Sequence, residues 1–549
     1  MKKLLALTLA VMMAVSLLAG CGGKADPAPT TAANPGSSET QPANQEEQLA
    51  AAGIQTPNTE TGNTVKSDET VVIQMGTYPS YFWHPGMEGQ NGQNEEQVIS
   101  SAFLDRLVDY DEVANEVVPM LAESWEQNGA EFTFHLRSGV KMTDGSELCA
   151  DDVVYTVNVW KTNSASNDTG KYIVDVAKVD DKTVTITFNS DAPDIIKMLT
   201  WGNFGIVSED EVNAVGGLEA AAQNPVMGSG RYRFKECKSG EYVILERNED
   251  YWDPNYVGYF KSIKFTFVND PNAMVSAVMS GDAQVAVDLP VAQSSTFASN
   301  PSVRTYLYSN GEVEHLFFNH GEGHPTSDIR VRQAIAKVLN YPAIAAVATA
   351  GYGDVALSYA AKGASYYSAG WTMDELAIDI EGAKALLKEA GYDESNPLKL
   401  VTVTLPDLMD VYVVIQANLR EAGIELEIQQ MDMGGFVPAM LFDKSFDIVA
   451  VGDNISFRTP QLPQFVSPGI VFGGPNAVLE DHIEILNKVM LATDDAAAKA
   501  ALEEYNAQLK QDFMCVNLYE ALRSSIVGAD IKGFSIRERG YADVTTLFK

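Results

Sequence analysis

Between Asp447 and Pro460 the sequence runs DIVAVGDNISFRTP. A string of apolar β-formers stops at Gly452, and Asp453, Asn454 and, a few residues on, Arg458 follow. An aspartate so placed has three possible roles: it pairs with the amine of a bound molecule, it acts as a catalytic carboxylate, or it is the polar end of a strand. Arg458 carries the planar fork that grips a carboxylate through two parallel hydrogen bonds, although most loop arginines are simply solvated. Nearer the start, GTYPSYFWHPGMEGQNGQNEEQ sets Tyr81, Phe82, Trp83 and His84 side by side in a stretch punctuated by Gly and Pro. Adjacent aromatics in a loop cannot all face one interior, so at least one is expected to line a cleft; the competing reading is a plug in a core. His315, His320 and His324, with Glu322 among them, have spacing that would let one loop meet a metal ion. Ser138 and Lys141 form a Ser-x-x-Lys pair, but no Ser-Asp-Asn or Lys-Thr-Gly partner accompanies it. Gly-x-Ser-x-Gly and His-Glu-x-x-His are absent too, so the residues argue against an enzyme.

The elements that position these residues begin after an atypical N-terminus. MKKLLALTLAVMMAVSLLAGCGG combines Lys2 and Lys3 with an apolar run from Leu4 to Leu18, too short for a comfortable membrane helix. This predicts a secretion signal over residues 1–20. The Leu-Ala-Gly-Cys that ends it resembles a bacterial lipobox, which would make Cys21 the lipidated new N-terminus. Residues 21–67 hold almost nothing to bury and predict a disordered tether reaching about 35–40 Å r.m.s.. The expected location is the outer face of the cytoplasmic membrane, extracellular or periplasmic, with contact to the bilayer only through the anchor.

The formal net charge is −36, or −38 once a leader with two lysines and no acid is removed. Such a surface argues against nucleic acid and against adsorption to anionic lipid, and mildly favours cationic or zwitterionic ligands. Beyond Cys21 stand Cys149, Cys237 and Cys515, without a CxxC or a Cys/His cluster, so no cofactor or structural zinc is expected. One disulfide is compatible with three cysteines, and the sequence does not pair them.

From Asp68 onward the composition is that of a folded protein, too long for one core. Phe132, Phe134 and Leu136 alternate with polar residues, as do Val184, Ile186 and Phe188, which predicts two half-buried strands. A turn at Asp144-Gly145 precedes a helix with Ala150, Val153, Val154 and Val157 on one side. Farther on, Ser327 or Asp328 caps a helix buried along Val331, Ala334, Ile335, Val338 and Leu339. Another helix, through Ile380, Ala383 and Leu387, ends at Gly391. The strands LKLVTVTL, IELEI and FDIVAV alternate with helices, which predicts an α/β layer with a largely parallel sheet. Ligands of such sheets sit outside the carboxyl ends of the strands, where Asp453 and Asn454 fall.

An ordered series of blocks resembles one known family. They are LAESWEQNGAEFTFHLRSGVKMTDGSELCADDVVYTV, MGSGRYRFKECKSGEYVILERNEDYWDP, AMVSAVMSGDAQVAVDLP, DIRVRQAIAKVLN, AKALLKEAGY and LREAGIELEIQQMDMGGF. The chain is similar, over most of its length from about Glu95, to the large lipid-anchored solute-binding proteins of ABC transporters, of the oligopeptide/dipeptide-binding type. The resemblance implies a two-lobed periplasmic-binding-protein-like α/β fold with an extra subdomain. Lobe 1 would comprise 68–106, 206–314 and 516–549, the subdomain 107–205 and lobe 2 315–515. The two crossovers would lie near Glu312–His315 and Met514–Tyr519. It also implies a monomer that captures a peptide without chemistry and hands it to an ABC permease. By the same resemblance Asp453 would receive the ligand's α-ammonium, with Val449 or Ala450 where the family has tryptophan and Pro460 arriving late. Tyr519 would match a cleft tyrosine, and backbone from Glu88 to Glu95 would line the ligand. Arg231 stands where the family has proline. Because some members carry nickel or haem, a metal chelate or another small cationic solute is the alternative ligand. A surface receptor for a peptide signal is the alternative role.

Overall fold

Two long strands organise the molecule, β6 (Val303–Phe318) and β10 (Cys515–Gly528), paired antiparallel from Val303 opposite Gly528 to Phe317 opposite Cys515. In the computed structural model, which describes residues 49–58, 60, 65–79, 81–83, 94–162, 170–225, 227–404, 408–455, 478–537 and 540–549, they are the only connection between two sets of strands within one sheet. On one side of the pair lie β1 (Thr70–Met75), β2 (Tyr232–Lys238), β3 (Tyr242–Arg247), β4 (Ser262–Phe267) and β5 (Val285–Leu289). On the other lie β7 (Leu398–Val403), β8 (Leu426–Met431) and β9 (Ile448–Asp453). The spatial order is β8-β7-β9-β6-β10-β5-β1-β4-β3-β2. The leader, Cys21 and most of the expected tether 21–67 lie outside the described residues, but its later part is not a loose tether: Ile54 and Gln55 pair parallel with Thr305 and Tyr306 of β6, Ile54 is buried, and Glu60 meets Arg304 at 3.1 Å.

The sheet is less parallel than the alternation of strands and helices predicts. β7 runs parallel to both β8 and β9, but β9 is antiparallel to β6, as β6 is to β10. The long strands enter and leave the second lobe in opposite directions, so one neighbour must oppose the βαβ units. The helices form where the sequence places their caps. Asp328, rather than Ser327, accepts a hydrogen bond from the Arg330 N–H and starts Ile329–Val338. Gly391 ends Ile380–Ala390 in the left-handed region at φ 68°, which a side chain would disfavour.

Residues of the first strand set and those around Phe103 and Phe534 share one core. A separate four-stranded antiparallel sheet, in the order Ala122–Asn128, Glu131–Leu136, Thr183–Phe188, Ile173–Asp180, buries Phe132, Phe134, Val184 and Ile186 under the helix Ala150–Thr162. The β7–β8–β9 side has apolar cores on both faces of its sheet, one containing Tyr359, Val449 and Tyr505, the other Ile335, Ile415 and Ile448. Cys149, Cys237 and Cys515 are all free thiols. No helix among the described residues is long and apolar enough to cross a membrane.

Candidate functional site

The sheet register brings the candidate residues to one end of the second lobe. In β9, β6 and β10 the partners Asp453, Val313 and Glu520 form one row across the sheet, and Val451, His315 and Asn517 form the next row on the same face. Strands lie about 4.8 Å apart, so the Asp453 and Glu520 backbones stand roughly 10 Å apart with Val313 between them. Pairing of β6 with β10 slips between Ser309 and Val313 and again between Glu314 and His315. Such bulges bend a strand and re-aim its side chains.

Asp453 is buried, with only 8% of its surface exposed. The Tyr359 hydroxyl donates to its Oδ2 at 2.8 Å, and the Asn454 backbone N–H donates to its Oδ1 at 2.8 Å. Burial, reinforced by the neighbouring Asp453 charge, holds the Tyr359 phenol well above its ordinary pKa, so it is a neutral donor at any working pH. The Asn454 side chain donates to the Asn310 carbonyl in the β6 bulge, tying the end of β9 to the crossover. In the next row on that face, His315 Nδ1 meets Asn517 Oδ1 at 3.1 Å, and burial pushes the imidazole down to about 3. Glu520 accepts from the Lys362 backbone N–H at 3.1 Å, and burial raises its carboxyl. The segment through Val355–Lys362 lies along β10, where Val355 bridges Tyr519.

The bulge also gathers charge. Arg523 on β10 meets Glu312 at 3.3 Å, and Asn310 Nδ2 donates to the same carboxylate at 2.6 Å. Glu95, in the helix Asn94–Phe103, has its carboxyl raised chiefly by burial, with Asp288 adding to the rise and Arg523 opposing it. Arg523 therefore feels Glu95, Asp288 and Glu312 where the first strand set meets the crossover.

Other candidates are placed elsewhere. Phe82 and Trp83 are interior, Phe82 edge-on to Tyr78 at 5.6 Å and tilted against Phe234 at 5.7 Å. Both pack in the core of the first strand set, where Tyr78, itself edge-on to Phe267, covers Phe82. Tyr81 is half-buried, while His84 and Arg458 lie outside the described residues, as does the backbone from Glu88 to residue 93. Tyr519 is opposite Glu314, one register position from Glu520, and packs into the core on the other face of the sheet from Asp453. The three histidines do not converge. His315 bonds Asn517, His324 bonds Asp447 at 2.9 Å, and buried His320 lies near Arg332, Asp512 and His482. No group of three metal-ligating side chains occurs among the described residues. Ser138 and Lys141 sit exposed on a hairpin, with Lys141 bridged to Glu147. Tyr359, Glu520, Glu312 and Arg523 were not legible as site residues, since each is defined by a partner far away in sequence.

A two-lobed α/β receptor, with polar groups collected where two long strands cross between lobes, is built to enclose a solute rather than transform it. Residues 116–468 match the model of the bacterial extracellular solute-binding proteins, family 5 Middle, and the chain belongs to that family of transport receptors, which are not enzymes. A probable ABC transporter periplasmic-binding protein, SapA, of Escherichia coli K12 is 25% identical over 494 residues, covering 82% of this chain and 87% of that one. The oligopeptide-binding protein AppA of Bacillus subtilis 168 is 27% identical over 411 residues, 68% of this chain and 72% of that one. Its structure in complex with a nonapeptide matches with a TM-score of 0.73 at 20% identity, over 88% of this chain and 99% of the other. The periplasmic binding protein DppA from Helicobacter pylori, in complex with the peptide STSA, gives a TM-score of 0.74 at 19% identity over 87% and 98%.

Proposed function

We propose that this chain is the ligand-capturing subunit of an ABC importer that closes its lobes over oligopeptides or dipeptides and presents them to a membrane permease. The observation that carries the reading is Asp453, a carboxylate gripped by the neutral donors Tyr359 and Asn454 N–H at the carboxyl end of β9, beside the crossover. In that position it pairs with a ligand's α-ammonium, and Asn454 holds the strand end that carries it. The relatives named for oligopeptides and solved with bound peptides support the ligand class. Tyr81, His84 and Arg458 complete the proposed ligand shell, Arg458 as partner of a ligand carboxylate; Phe82, Trp83 and Tyr519 support it from the cores. Lobe 1 comprises 68–106, 206–314 and 516–549, the subdomain 107–205 and lobe 2 315–515. Lipidated Cys21 and the stretch that follows it, up to the point where Ile54 pairs with β6, hold this receptor, a monomer, at the outer face of the cytoplasmic membrane.

A paired charge inside a closed cleft is worth more than one at a surface, because the cleft excludes water. Native mass spectrometry of gently purified protein identifies the co-purifying ligand, and calorimetry then measures it against Asp453→Ala. The expected loss is about 2–5 kcal/mol, the range for removing one partner of a buried, hydrogen-bonded charge pair. Equal affinity of the two proteins overturns the assignment of Asp453.

A further inference from the structure

Tyr359 reaches Asp453 from 94 residues away, and its geometry is over-determined. Its ring stacks on His315 at 4.5 Å with an interplanar angle of 21°, and meets Tyr505 edge-on at 5.0 Å and 88°. Its backbone N–H donates to Asn506 Oδ1 at 3.2 Å, and the Asn506 amide donates in turn to Ser358 Oγ and the Ser368 carbonyl, both at 3.0 Å. Tyr359, His315 and Tyr505 are all buried. A phenol stacked on one ring, met edge-on by another and held through its backbone cannot follow a carboxylate that moves; the carboxylate must come to it.

We infer that Tyr359 is a positioning residue for ligand recognition, fixing the Asp453 carboxylate in one rotamer so that it is aimed before a ligand arrives. This rests on the assignment of Asp453 as the ammonium partner. Asp453 ends its strand, and its Oδ1 bond goes to the N–H of the very next residue, a contact that turns with the chain. The Oδ2 bond to Tyr359 refers the carboxylate to a different element, 94 residues away in sequence. An O–H···O⁻ bond to a buried phenol is strong because the acceptor is charged, yet a neutral donor leaves the carboxylate its full charge for a cationic group. Orientation fixed beforehand lowers the ordering cost of binding. The discrimination so produced is for a free amino terminus over a blocked one. The His315 and Tyr505 rings serve the same end by fixing Tyr359.

The test compares a library of random tetrapeptides with the same library N-acetylated, with retention on the full-length protein read by native mass spectrometry. Tyr359→Phe keeps the ring and its stacking and removes one oxygen, so its melting temperature is expected within a few degrees of wild type. The expected result is that preference for free over acetylated peptides falls about tenfold or more in Tyr359→Phe, as in Asp453→Asn, while retention of acetylated peptides is unchanged. The inference is overturned if Asp453→Asn abolishes the preference and Tyr359→Phe keeps it, or if Tyr359→Phe weakens both libraries alike, which is what a merely structural residue would do. If Asp453→Asn keeps the preference, or the wild-type protein retains neither library, the underlying reading of Asp453 falls and this inference with it.

Discussion

Arg523 and Glu312 lie 3.3 Å apart across the slip in pairing between β10 and β6, so an ion pair spans the point where the two crossover strands lose register. The same carboxylate crowds β9, since a Cβ added to Gly452 would lie 1.8 Å from Glu312 Oε1. Gly452→Ala must therefore displace Glu312 from Arg523 and from Asn310. An expected cost of about 1–3 kcal/mol, typical of overpacking, is measurable by urea denaturation. Glu312→Ala on the same chain should recover part of that loss, because the two changes meet at one contact.

The buried ion cluster around Arg537 gives a second test. Arg537 meets Asp109 at 3.0 Å and Asp543 at 2.7 Å, and Arg106 adds a 2.7 Å contact to Asp109. Removing one partner of a buried cluster strands the others, so Arg537→Met should cost about 3–5 kcal/mol at neutral pH. Burial would lift Asp109, but Arg537 and Arg106 outweigh it and hold its carboxyl below the usual range. A carboxyl depressed in the folded state adds stability above its ordinary pKa, and that stability drains away as pH falls below it. The gap in melting temperature between wild type and Arg537→Met should accordingly narrow between pH 5 and pH 3.

His315 titrates in the opposite sense from an exposed imidazole that gains a charge partner. Burial pushes it down to about 3, so the unfolded chain takes up the proton first, near pH 6.5. Its contribution is complete above that pH and is lost progressively as pH falls toward 3. Carbon-13 NMR of the His315 ring should show a neutral imidazole from pH 8 down to pH 5, while the thermal stability it supports declines over the acid half of that range.

The three cysteines answer to a simple reagent. Cys149 and Cys237 are half-buried and Cys515 is 1% exposed, packed beside Phe317 in the core of the second lobe. A thiol reagent added to the native, reduced protein should label the first two and leave Cys515 until denaturant is added. Mass spectrometry of the labelled peptides reads the order directly.

How far the sequence reached depended on whether a signal was local. Period-2 alternation at Phe132–Leu136 and Val184–Phe188 marked strands because each burial pattern repeats within a few residues. Asp328 and Gly391 marked helix ends because a cap is a short-range hydrogen bond or a single backbone angle. The six ordered blocks named the family for the same reason, and Asp453 was visible as the polar stop of an apolar run. The direction of β9 against β6 was not visible, because antiparallel pairing is a contact between segments more than 100 residues apart. Nor was the burial of Phe82 and Trp83 in one core, which for Phe82 depends on Tyr78 and the sequence-distant Phe234 coming together around it.

By itself, the sequence determined the strands and helices, their caps and the kind of receptor they build, since these follow from neighbours along the chain. The tertiary structure alone decided that Asp453 shares a row with Glu520, that Tyr519 faces the other way, and that Tyr359 holds the carboxylate. Register sets which side chains share a face of a sheet, and a shift of one residue reverses them all.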